Sequence, residues 1–99
     1  MDLKGYQRKY LRSLAHHLKP TVFIGKNELT EGVFNSINDA FSNQELIKIK
    51  IYKKENQDSI GSKIANKNEC DIVGGIGKIL IAYKQNIDPE LRKIKLPKK

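Results

Sequence analysis

Between Leu3 and Leu18 the apolar residues Leu3, Tyr6, Tyr10, Leu11, Leu14 and Leu18 fall on one stripe at about 100° per residue. This spacing predicts an amphipathic helix over 3–18. Pro20 ends it, because its ring removes a backbone donor and the residue before a proline avoids helical backbone. Residues 21–24, Thr-Val-Phe-Ile, are β-branched and aromatic, and predict a strand running into a tight loop at Gly25-Lys26-Asn27. Thr30 is the natural N-cap of a second helix over 31–42, carried by Val33, Phe34, Ile37, Ala40 and Phe41, with Asn43 as its left-handed terminator. Residues 46–52 alternate, Ile47, Ile49 and Ile51 against Lys48, Lys50 and Tyr52, which is the period of a half-buried strand. A third helix over 57–68 rests on Ile60, Ile64 and Ala65, against a cost of up to about 1 kcal/mol for Gly61. Residues 71–73 and 78–84 read as two strands joined through Gly74, Gly75 and Gly77, and a tail from Gln85 is ordered at first and then frayed.

Helices alternating with strands predict a layered α/β sandwich, and 99 residues suffice for a single core, hence one domain over 1–99 with a basic tail at 85–99. Phe23, Phe34 and Phe41 are assigned to the core, as is Cys70, a small residue at a strand start. The longest apolar run, 79–83, is far short of the roughly 18 residues of a membrane span, and no apolar run follows Met1. The expectation is a soluble cytoplasmic protein with no membrane partner; a lone cysteine fits a reducing compartment.

Charge sharpens the picture. There are 19 Lys+Arg against 11 Asp+Glu, a net +8 with pI near 9.6, which points to a polyanionic partner. Most of the basic residues are lysine, as an AT-rich coding bias would also produce, but the charge is segregated: no Lys or Arg lies between Asn27 and Ile47, where Glu28, Glu31, Asp39 and Glu45 are acidic. On the wheel of the first helix Lys4, Arg8, Arg12 and Lys19 span an arc of roughly 80° opposite the apolar stripe, flanked by His16 and Lys9.

No catalytic or metal constellation emerges. His16 and His17 are adjacent on a helix and point about 100° apart, and the carboxylates lack a partnering motif. Gly74-Gly75-Ile76-Gly77-Lys78 lacks the spacing of a phosphate-binding loop and reads as a hairpin turn. Gly25-Lys26-Asn27-Glu28, leading toward a helix N-terminus, is either an ordinary turn or a phosphate seat with Lys26 as its charge. No paired aromatic platform is apparent; if the polyanion is RNA rather than an anionic membrane surface, it is held mainly through backbone and shape.

Four stretches in order resemble the YhbY-like family, the stand-alone form of the CRM domain: Lys9-Tyr10-Leu11-Arg12-Ser13-Leu14-Ala15-His16 running into Leu18-Lys19-Pro20; Val22-Phe23-Ile24-Gly25-Lys26-Asn27 running into Leu29-Thr30-Glu31-Gly32-Val33; Glu45-Leu46-Ile47-Lys48-Ile49-Lys50; and residues 76–84 with the tail 92–97. The resemblance implies a four-stranded mixed sheet with three helices, similar to the C-terminal domain of bacterial translation initiation factor three. It implies RNA binding, association with precursors of the large ribosomal subunit to assist assembly, and no catalysis; from the residues themselves, neither cofactor nor metal is expected. The family's Gly-x-x-Gly loop maps to Gly25, Lys26, Asn27 and Glu28, so the fourth position departs from the pattern. The expected RNA face joins Lys4, Arg8, Arg12, His16 and Lys19 of the helix, Gly25, Lys26 and Asn27 of the loop, and Lys84, Arg92, Lys93 and Lys95 of the last strand and tail; that these lie together is an implication of the resemblance. The molecule is expected to act as a monomer, with ribosomal proteins as further partners. An alternative is a protein-interaction module, docking on a basic ribosomal protein through the acidic second helix.

Overall fold

A computed structural model describes residues 1–98; Lys99, the last residue of the expected tail, lies outside the described residues. The elements are α1 (Gly5–Ala15), β1 (Val22–Phe23), α2 (Glu31–Asn43), β2 (Leu46–Lys50), α3 (Gln57–Lys67), β3 (Asp71–Ile76) and β4 (Ile79–Tyr83), with 3₁₀ turns at Lys54–Asn56 and Pro89–Leu91. The four strands form one mixed sheet in the order β1-β2-β4-β3, with β1 parallel to β2 and the other neighbours antiparallel. The expected α/β architecture of three helices and a four-stranded mixed sheet is the one observed.

Strand alternation sends side chains to two cores. Ile47, Ile49 and Ile51 of β2 and its extension, with Leu80 and Ala82 of β4, meet Ile37 and Phe41 of α2 and Ile60 and Ile64 of α3. On the opposite face Leu46, Val73, Ile81 and Tyr83 pack against Leu11 and Ala15 of α1, with Leu3, Leu14, Leu18, Ile94 and Leu96 closing the rim. The sheet is therefore sandwiched between α2 and α3 on one side and α1 with the tail on the other.

Several boundaries differ from expectation for identifiable reasons. Thr30 caps α2 as expected, its hydroxyl accepting from the Val33 N–H at 3.2 Å. Asn43, however, stays helical, and α2 stops at an extended Gln44 (φ −141°), so no left-handed terminator is used. The hairpin turn is Gly77-Lys78 alone, with Gly77 at φ +58°, while Gly74 and Gly75 belong to β3. Their lack of side chains makes room for others: a Cβ at Gly74 would stand 2.6 Å from Arg12 Cδ, and one at Gly75 2.7 Å from Gln57 Cδ. The β3–β4 register shifts between Ile72 and Gly74, leaving Val73 as an extra residue turned into the α1 core. Phe23 is not core: it is 65% exposed. Cys70 is buried, as expected.

The tail does not fray within the described residues. Buried Glu45, between α2 and β2, accepts backbone N–H groups from Asn86 (2.7 Å), Lys93 (2.8 Å) and Ile94 (3.0 Å). Burial raises its carboxyl pKa, but those three N–H donors and the nearby Arg92 charge outweigh it and hold the net value below the ordinary 4.5.

Candidate functional site

The Gly25 loop is a turn closed by the Glu28 N–H on the Gly25 carbonyl at 2.9 Å. Glu28 itself is left-handed, at φ +57°, and its carboxylate accepts from Asn56 Nδ2 at 3.1 Å. Leu29 and Thr30 separate this turn from α2, so the loop does not run directly into the helix N-terminus, in contrast to the sequence expectation. A cleft of about 230 Å³ beside it is lined by Lys26, Glu28, Tyr52, Lys53, Asn56 and Ile60.

Backbone pairing places further lysines here. The Ile24 N–H donates to Lys50 O at 2.8 Å, and the Ile51 N–H donates to Lys78 O at 2.7 Å. The Gly25 turn, the end of β2 and the β3–β4 turn thus meet at one end of the sheet, and Lys26, Lys50, Lys53 and Lys78 are all exposed there. Of these only Lys26 was singled out from the sequence.

The helix residues have mixed roles. Arg8 donates to Ile72 O and Arg12 to Val73 O (3.0 Å), so both guanidinium groups hold α1 against β3, an outermost strand. A groove of about 580 Å³ separates them from Gln57, Asp58 and Ser62 of α3. A guanidinium has five N–H donors, so these bonds leave others for a ligand. Lys4, His16 and Lys19 are exposed, with the His16 ring edge-on to His17 at 6.0 Å.

Lys84, Arg92, Lys93 and Lys95 lie elsewhere. The β4 strand begins at the turn near Gly25 and ends at Tyr83, so the tail departs from the far end, about 16 Å away for five residues. There Lys84 Nζ donates to Asn68 O at 3.1 Å, and Arg92 Nε to Asn86 O at 2.7 Å. The loop and the tail therefore do not adjoin: antiparallel β2 and β4 carry them to opposite ends of the sheet, and α1, whose Gln7 donates to Pro97 O at 3.2 Å, runs between them.

Among the described residues the one ion pair joins the Met1 amine to Asp71 at 4.0 Å. Among them, too, no group of three His, Cys, Asp or Glu side chains is positioned for a metal ion. Burial, foremost, pushes the Cys70 thiol up to about 11.

Comparison with known proteins adds a family match over residues 3–84, to the CRS1 / YhbY (CRM) domain. An RNA-binding protein of Haemophilus influenzae is 40% identical over 99 residues, covering 98% of this chain and 97% of its own. A "probable RNA-binding protein" of Pseudomonas aeruginosa is 35% identical over 91 residues, 90% of this chain and 88% of its own. The solution structure of SAV1595 from Staphylococcus aureus superposes with a TM-score of 0.84 at 30% identity, covering 97% of this chain and all of that one.

Proposed function

The chain belongs to the CRS1 / YhbY (CRM) domain family, and from that premise we propose that it is a non-catalytic RNA-binding protein that grips phosphates with exposed lysines. The carrying observation is electrostatic: with 19 Lys+Arg in the chain, no lysine or arginine side chain lies within 4.0 Å of a carboxylate among the described residues. Such cations have no carboxylate partner to give up when a phosphate arrives, although Arg8, Arg12, Lys48, Lys84 and Arg92 donate to backbone carbonyls. The contact surface in this reading is the end formed by Lys26, Lys50, Lys53 and Lys78, continued along Arg12, Arg8, His16, Lys19 and Lys4 of α1. Lys84, Arg92, Lys93 and Lys95 form a second basic region at the tail. We place the protein in the cytoplasm, on RNA of large-subunit precursors, assisting their assembly.

A salt titration tests the first part. If about four to six phosphates are neutralised, the log-log slope of affinity against salt is about −3 to −5; a slope near zero overturns it. Crosslinking in cells with mapping of RNA adducts tests the second part. Adducts concentrated in large-subunit precursor RNA are expected, and RNA-independent co-purification with a ribosomal protein would instead favour docking through acidic α2.

A further inference from the structure

We propose that the uncovered end of the sheet is a seat for unpaired RNA bases, with Phe23 as its stacking surface; this rests on the RNA-binding reading above and narrows its substrate class to single-stranded segments. Four in-register residues carry the argument. Phe23 pairs with Lys50, Lys50 with Ile79, and Ile79 with Ile76, so one row crosses all four strands. Directly paired residues share a face, and this row lies on the α1 side. The neighbouring row on that face, Lys48, Ile81 and Gly74, is covered: Lys48 Nζ reaches Leu18 O at 3.0 Å, and Arg12 crosses Gly74. Helix α1 ends at Ala15 and leaves Phe23 65% and Ile76 77% exposed at the two ends of the row, while Ile79 between them is half-buried against the α1 core.

Exposed Phe23 and Ile76 are unfavourable in water, so their surroundings indicate the occupant. Lys50 lies within the row and Lys78 in the turn that follows Ile76, while Lys26 and Lys53 line the cleft on the α3 side of the same sheet end, none paired with a carboxylate among the described residues. Of the nearby acids, Glu28 is bonded to Asn56, and Glu55 is exposed in the 3₁₀ turn. A neutral lipid or protein partner would cover the apolar groups but has no need of these cations, and an acidic one would meet the cations without the flat faces that suit Phe23. A single-stranded nucleic acid presents flat apolar faces and a negative charge at every residue, which matches both features. A duplex presents the charge with its bases stacked inside, and offers nothing to Phe23. The row spans three strand spacings, about 14 Å, room for more than one base.

The test uses fluorescence anisotropy of the full chain with two labelled probes at one salt concentration: a uridine homopolymer oligonucleotide and a blunt RNA duplex with the same number of phosphates. Phe23→Leu keeps an apolar side chain and removes the π-face. Its expected effect is a loss of about fivefold or more in affinity for the single strand, with duplex affinity unchanged. Since the chain has no tryptophan, Phe23→Trp introduces a sole indole; binding of the single strand should quench it and binding of the duplex should not. Circular dichroism of both variants confirms the fold. If the wild-type chain binds neither probe, the RNA-binding reading falls and this seat with it. If the wild type binds, but Phe23→Leu changes single-strand affinity by less than roughly twofold and the introduced indole stays unquenched, the seat is overturned while phosphate binding stands.

Discussion

Glu28 is a side chain in the backbone conformation that suits glycine, and replacing it separates two effects. At φ +57° a residue with a Cβ carries about 1–2 kcal/mol of strain that glycine does not. Against this, glycine is more flexible in the unfolded chain, which costs about 0.4–1 kcal/mol. The Asn56 bond to the exposed Glu28 carboxylate contributes about 0.5 kcal/mol and is lost in any truncation. Glu28→Gly and Glu28→Ala both lose that bond, so their difference isolates the backbone: Gly should be the more stable by about 0.8 kcal/mol, or roughly 3–6 °C in Tm for a domain of this size. Relative to the native Glu, Gly should be nearly neutral and Ala destabilising by about 0.5 kcal/mol. Urea denaturation of the three proteins followed by circular dichroism, with equal m-values as the control, provides the numbers. Ala as stable as Gly would refute a left-handed backbone at this position. In binding assays Glu28→Gly should also tighten RNA severalfold, since it removes a negative charge beside Lys26.

Glu45→Gln should cost about 1.5–3 kcal/mol at neutral pH, because its amide nitrogen cannot accept from a backbone N–H. Since the folded pKa of Glu45 is lowered, its contribution is present above the ordinary carboxylate value of 4.5 and is lost as pH falls through the lower folded value. The stability gap between wild type and Glu45→Gln should therefore close in acid; a gap that persists to low pH would count against the assignment. Hydrogen exchange should show faster exchange across 86–96 in this variant. Arg8→Glu with Arg12→Glu should destabilise by about 1–3 kcal/mol as well as weaken RNA binding, because two β3 carbonyls lose charged donors; unchanged urea midpoints would contradict that anchoring. Cys70, buried and with its thiol pushed up to about 11, should resist thiol-specific labelling in native buffer and react on unfolding at a rate that tracks denaturant.

Periodicity was a good guide wherever an element meets its core through its own repeat. Helix α2 and the strand at Leu46 were legible for that reason, and so was the Thr30 cap, whose partner Val33 is three residues away. What escaped was fixed by distant neighbours. Gly74 and Gly75 looked like turn residues because glycine weakens a strand; their reason is that Arg12 and Gln57 cross above them, and neither spacing is visible locally. Phe23 was assigned to the core by residue type, although its alternation with Val22 and Ile24 already put it on the other face. Which face is open depends on where α1 stops. Glu45 has partners 41 to 49 residues away, so nothing near it in sequence marks it as the clasp of the tail. In the candidate site, Lys26 was readable from its loop, whereas Lys50, Lys53 and Lys78 join it only through the strand register.

The bonds from Arg8 and Arg12 to β3 also bear on how the molecule avoids its own kind. An open sheet has two margins where spare backbone groups can recruit a strand from another chain, the first step toward aggregation. Here one margin, β1, is only two residues long, and the other is kinked at Val73 and has two carbonyls occupied by guanidinium groups. Each guanidinium has N–H donors beyond the one bonded to β3, so a phosphate taken up by those donors leaves the carbonyl on that margin covered, and the same two side chains serve ligand and margin together.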